Sequence, residues 1–115
     1  MKAKYRVVVL GCLKKLNTEE EVVEEYVNYL STIVSKRQVM SCSVLYEDGG
    51  NRGAIVATGR QISVIAGREK MTTLVNKMRS GMILQKACGN IPLSMFLMAL
   101  CTSSLDALTP LIIYR

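Results

Sequence analysis

At 115 residues, half of them apolar, the chain can build one compact core without metal or disulfides, whereas two domains would each be starved of apolar contacts. The formal net charge is +6, from 15 Lys and Arg against nine Asp and Glu; a positive field attracts polyanions such as nucleic acid or an anionic membrane surface. Histidine is absent, and Cys12, Cys42, Cys88 and Cys101 stand far apart, which excludes paired-cysteine zinc motifs and fits free thiols packed as small hydrophobes in a reducing, intracellular and cytoplasmic setting.

Residues 4–13, KYRVVVLGCL, form a β-branched run apolar on both faces, which predicts a central strand with Gly11 at its exit. The apolar stretch of MKAKYRVVVLGCLKK is short, lacks a small-residue cleavage site and is closed by Lys14 and Lys15, so it does not read as a signal peptide. Thr18 precedes Glu19, Glu20 and Glu21, the pattern of a capping box. Val22, Val23, Tyr26, Val27, Leu30, Ile33 and Val34 then recur at three- and four-residue steps, predicting an amphipathic helix over 19–36. The acids at its start and Lys36–Arg37 at its end complement the helix dipole.

Residues 39–46 alternate, placing Met40, Cys42, Val44 and Tyr46 on one face of a strand. EDGGNRG at 47–53 is a turn by composition, and Gly59–Arg60 separates 54–58 from 61–66 as a hairpin. Gly67 ends that hairpin. From Arg68, residues Met71, Leu74, Val75, Met78 and Met82 resume helical spacing, with Ser80–Gly81 as a break or cap. After Gly89–Asn90, Pro92 suits a first helical turn, and 91–101 reads as a helix apolar nearly all round. Residues 110–115, PLIIYR, read as a short last strand. Residues 91–114 have the length of a membrane span, but Asp106 and Pro110 interrupt them, and a carboxylate inside a bilayer costs about 2.5–3.5 kcal/mol. A membrane role is therefore not expected. The whole predicts a single α+β domain over 1–115, a mostly antiparallel sheet with helices on one face, whose strand–helix–strand opening fits a split β-α-β core.

The chemistry-bearing motifs are few. KYRVVVLG resembles the first strand of nucleotide-binding proteins, but CLKKLNTEE lacks the Gly-Lys-Ser/Thr that a P-loop needs, and the glutamates would repel phosphate. Gly50-Asn51-Arg52-Gly53 has the GxxG form of KH domains but joins strands rather than helices. Val8-Val9-Leu10-Gly11-Cys12-Leu13 resembles the first-strand signature of the RNA-recognition motif, and Arg52-Gly53 the opening of its third-strand signature. Ala54, Val56 and Thr58 stand where that motif presents stacking aromatics, and an extra strand intervenes before the second helix. For catalysis, Glu47–Asp48 sit on a solvated turn, and Cys12, beside Lys14 and Lys15, has no identifiable base. No catalytic residue, metal or cofactor is expected.

Three glycine–arginine steps remain, Arg52-Gly53, Gly59-Arg60 and Gly67-Arg68. At turns, exposed backbone N–H groups cradle anionic oxygens while guanidinium groups pair with phosphate. With Lys70, Lys77 and Arg79, the arginines Arg52, Arg60 and Arg68 make a nucleic-acid-binding set in a stretch whose one acid is Glu69. The helix over 91–101 must be covered on every side, so Met95, Phe96, Met98 and Leu100 are expected at an interface between copies. The expectation is a non-enzymatic, self-associating protein, a dimer or higher homo-oligomer, that binds RNA or single strands through phosphates. The alternative is a protein–protein interaction or scaffold module that buries the 91–108 surface and has no nucleic-acid role.

Overall fold

The computed structural model describes residues 3–88, and three two-residue reversals shape the sheet within them. Leu10 and Gly11 both take positive φ, 55° and 77°, the twist that a tight hairpin requires. They fold the run 4–13 back on itself into β1 (Tyr5–Val9) and β2 (Cys12–Leu16), with Val9 opposite Cys12. The single strand expected there is thus two. Thr18 caps α1 (Glu19–Lys36): the Glu21 amide donates to Thr18 Oγ1 at 3.2 Å, and the Thr18 hydroxyl donates to Glu21 Oε1 at 3.0 Å. Arg37, left-handed at φ 54°, ends the helix.

The strand β3 (Ser41–Asp48) turns through Gly49–Gly50, at φ 54° and 89°, into β4 (Asn51–Thr58). Gly59, at φ 59°, then opens the turn to β5 (Gln61–Ala66). The second helix, α2 (Thr72–Cys88), follows. It runs unbroken through Ser80–Gly81, where a break or cap was expected; the Ser80 hydroxyl donates to the Asn76 carbonyl at 2.9 Å, and Gly81 is buried.

The sheet order is β2-β1-β3-β4-β5, every neighbouring pair antiparallel. The α+β architecture read from the sequence is present. Since β2 and β3 both oppose β1, they run parallel with β1 between them, so β2-α1-β3 is a split β-α-β unit whose first strand is the second half of the run 4–13. One face of the sheet, carrying Tyr5, Val7, Cys42, Val44, Ile55 and Ala57, is buried under both helices. From α1 it meets Val22, Val23, Tyr26, Tyr29, Leu30 and Ile33, and from Met71 and α2 it meets Leu74, Val75 and Met78. Burying the valine, leucine, isoleucine and methionine side chains among these contributes about 1.5–3 kcal/mol each. The stripe on α1 is rotated slightly from its sequence reading: Val34 is exposed, while Tyr29 faces the core and its hydroxyl donates to the Met40 and Gly59 carbonyls.

Among the described residues no helix is long and apolar enough to cross a membrane. The helix expected over 91–101, the strand over 110–115 and the interface residues Met95, Phe96, Met98 and Leu100 lie outside the described residues.

Candidate nucleic-acid interface

Strand register fixes where each cation stands. Arg52, the second residue of β4, stands opposite Glu47, with its Nε 3.7 Å from Glu47 Oε2 and its side chain mostly in solvent. Gly67 lies directly against the backbone of Arg52 and Gly53, so the exposed Arg68 and Lys70 stand at the same end of the sheet as Arg52. Arg60 is exposed at the tip of the β4–β5 hairpin. At 3.3 Å per strand residue, roughly 25 Å separate it from Arg52. The structure therefore gathers Arg52 and Arg68 at one end of the sheet, with Arg52 inside β4 rather than in the turn expected over 47–53, which narrows to Gly49–Gly50, and leaves Arg60 at the far end. Arg79 is exposed on α2.

Lys77 is a different case, a cation engaged inside the fold. Its side chain is 10% exposed, and Nζ lies 2.9 Å from Glu20 Oε1 and 3.3 Å from Glu19 Oε1. Burial alone would push the ammonium's pKa down, but the Glu20 hydrogen bond and the Glu19 charge outweigh it and hold the pKa above the ordinary lysine range. The Glu20 carboxyl is held below its usual range by the same hydrogen bond, against partial burial. Lys77 fastens α2 to the first turn of α1. The sequence carried a sign of this: Lys77 sits three residues after Leu74 and four before Gly81, on the buried face of α2.

The sheet face turned away from the helices holds residues that the sequence reading passed over. Alternation along β1 puts Arg6 and Val8 there, out of phase with the buried Tyr5 and Val7. Opposite them stand Lys15 and Leu13 of β2, and Leu45 and Ser43 of β3. A cleft of about 340 Å³ opens at the Arg52 end of this face, lined by Lys4, Arg6, Leu45, Glu47, Arg52 and Ala54 among others. Lys4 reaches Asp48 at 3.6 Å, an exposed pair like that of Arg52, and such pairs are worth little and yield readily to a stronger anion. Among the described residues Arg6 and Lys15 form no ion pair. Lys14, on the opposite face of β2, is held by Glu25 at 2.8 and 3.0 Å, and that hydrogen bond and charge raise its pKa.

Ala54, Val56 and Thr58 do lie on the open face, and among the described residues strand alternation places no tyrosine beside them to stack on a base. The segment resembling the first RNA-recognition signature straddles the Leu10–Gly11 turn instead of lying in one strand. Cys42 is buried, and burial, with a smaller effect of the Glu25 charge, pushes its thiol up to about 12, leaving it protonated and non-nucleophilic. Cys12 is exposed, and among the described residues no three His, Cys, Asp or Glu side chains group as a metal site. No protein-family profile matches the chain, and no curated protein or solved structure matches it either.

Proposed function

We propose that this protein is a non-enzymatic nucleic-acid-binding module, without a cofactor, that holds RNA or single-stranded DNA by its phosphates on the open face of the sheet. The observation that carries the reading is the cleft in which Lys4, Arg6 and Arg52 meet one lining carboxylate, Glu47, with Lys15 beside Arg6 and with Arg68 and Lys70 at the same end of the sheet. Guanidinium groups pair bidentately with phosphate oxygens. Among the described residues the strands present no aromatic side chain to this face by alternation, which argues for backbone contact with little regard to base sequence.

Fluorescence anisotropy with labelled oligo(dT) and oligo(U) across a salt series tests this. The parent is expected to bind at low salt. Replacing Arg6, Lys15 and Arg52 together with Ala is expected to lower the slope of log affinity against log salt by about two units, at roughly 0.7 per lost contact with a single strand. Arg60→Ala alone, at the far hairpin tip, is expected to change it little. No binding by the parent at low salt, or an unchanged slope in the triple variant, rejects the proposal. The exposed Leu13, Leu45 and Ile65 on the same face favour a second reading, a scaffold surface for a protein partner, and that reading is left standing by such a result.

A further inference from the structure

The two edges of the sheet are unlike. The β2 edge, CLKKL, carries two lysines in five residues, the kind of charge that keeps a free edge from pairing. The β5 edge, QISVIA, carries no charge in six residues, and its Ser63 and Ile65 are exposed, Ile65 at 66%. Thr58 and Gln61 close a two-residue turn and Val56 opposes Ser63. The alternation of an antiparallel ladder therefore directs the N–H and C=O groups of Ile62 and Val64 outward. Among the described residues no strand takes them up.

We propose that the occupant of this edge is a second copy of the chain, its β5 antiparallel to the first about a two-fold axis normal to the sheet. Such an axis keeps the helix-bearing faces on one side, so only registers that preserve the face are allowed. The register that sets Ser63 against Ser63 of the second copy pairs Ile62 with Val64 twice, for on the order of four backbone hydrogen bonds flanked by apolar side chains. Shifting the register to set Val64 against Val64 carries the pairing towards the ends of β5, where Arg60 and Arg68 of the two copies flank the strands and their like charges disfavour the approach. For a chain of net charge +6, an uncharged edge is where two copies approach with least repulsion. The two basic clefts then open on the same side of one continuous sheet. The dimer does not depend on the nucleic-acid reading.

One exposed position tests the pairing in both directions. Sedimentation velocity on the full chain at about 10 μM is expected to show a dimer. Ser63→Lys sets two ammonium groups against each other across the axis and is expected to raise the dissociation constant about tenfold or more. Ser63→Cys, in a chain with Cys12, Cys88 and Cys101 changed to Ser, is expected to oxidise to a covalent dimer, because a non-hydrogen-bonded antiparallel pair holds its Cα atoms about 4.5 Å apart. Gln61→Cys in the same background faces Ile65 of the second copy and is expected to cross-link at least roughly tenfold more slowly, its thiols being too far apart for direct closure. A monomeric parent, a dimer indifferent to Ser63→Lys, or cross-linking through position 63 no faster than through position 61 overturns the proposal. Coverage of the edge by residues 89–115 or by a foreign strand produces the first of these results.

Discussion

Replacing Lys77 with Ala separates a structural cation from a ligand-binding one. The substitution leaves Glu19 and Glu20, with side chains 24% and 31% exposed, facing each other at the start of α1 beside Glu21. Removing one partner from a fully buried ion pair costs about 3–5 kcal/mol, whereas exposed pairs are worth about 0.2–1 kcal/mol. A 10%-exposed ammonium between two partly exposed carboxylates falls between these limits, at about 2 kcal/mol. Urea denaturation should show the midpoint falling with an unchanged m-value, and a double-mutant cycle with Glu20→Gln should recover a coupling of about 1 kcal/mol. The contribution has a defined pH window. Glu20, held below the usual carboxylate range, contributes above about pH 4.3 and loses its contribution as the pH falls through its folded value. Lys77, held above the usual lysine range, contributes below about pH 10.4 and loses its contribution as the pH rises through its folded value. In the binding assay K77A should keep the parent's salt slope. Unchanged stability together with a slope reduced by about 0.7 would refute the reasoning and return Lys77 to the phosphate-binding set.

Two further outcomes follow from backbone and tyrosine geometry. Gly67 has φ 70°, and a Cβ there would lie 2.7 Å from Gly53 Cα, so Gly67→Ala should cost about 2–3 kcal/mol; Gly59→Ala, at φ 59° in open space, should cost only about 1 kcal/mol, and equal losses in thermal denaturation would disprove the close approach at Gly67. Tyr5 and Tyr26 are both pushed up to about 12, first by burial, with Glu19 adding at Tyr5 and Tyr29 at Tyr26. The contribution of each neutral phenol is full below about pH 10 and lost as the pH rises towards 12. Tyr26→Phe should therefore flatten the alkaline stability loss without changing stability much at pH 7, and an alkaline profile identical to the parent's would contradict the assignment.

Sequence patterning located most elements because their signals are local. The Thr18 cap and the three- and four-residue recurrence after it place α1 on the residues it occupies. The β4–β5 turn depends on Gly59 taking the positive φ that the reversal requires. The β1–β2 turn was harder to read because a leucine, Leu10, holds one of its two positive-φ positions; composition marks KYRVVVLGCL as one run, and only pairing with β3 on one side and β2 on the other divides it. The same pairing turns an apparent β1-α1-β3 unit into β2-α1-β3. Nothing local in the sequence distinguishes those two connections.

The candidate site was less legible because net charge does not say which cations are already engaged. Lys77 and Arg52 both belong to the basic stretch, but helical phase sends Lys77 to the glutamates of α1 while strand alternation in β4 leaves Arg52 in solvent on the open face. Arg6 lay outside that stretch and inside a strand read as apolar on both faces. Its position is decided by a two-residue alternation that becomes visible once Tyr5 and Val7 are known to face the helices. An arginine in an interior strand, with no ion pair among the described residues, has its charge directed away from the core, onto a face whose neighbours are Lys15 and Leu45. Burying such a face against an apolar partner would desolvate a guanidinium without a counter-charge, which costs several kcal/mol, whereas a phosphate supplies that charge. The energetics of Arg6 therefore favour an anion over an apolar partner on the part of this face around Arg6 and Lys15. The exposed Ile65 marks the β5 side of the same sheet as the region where apolar contact between copies is less costly.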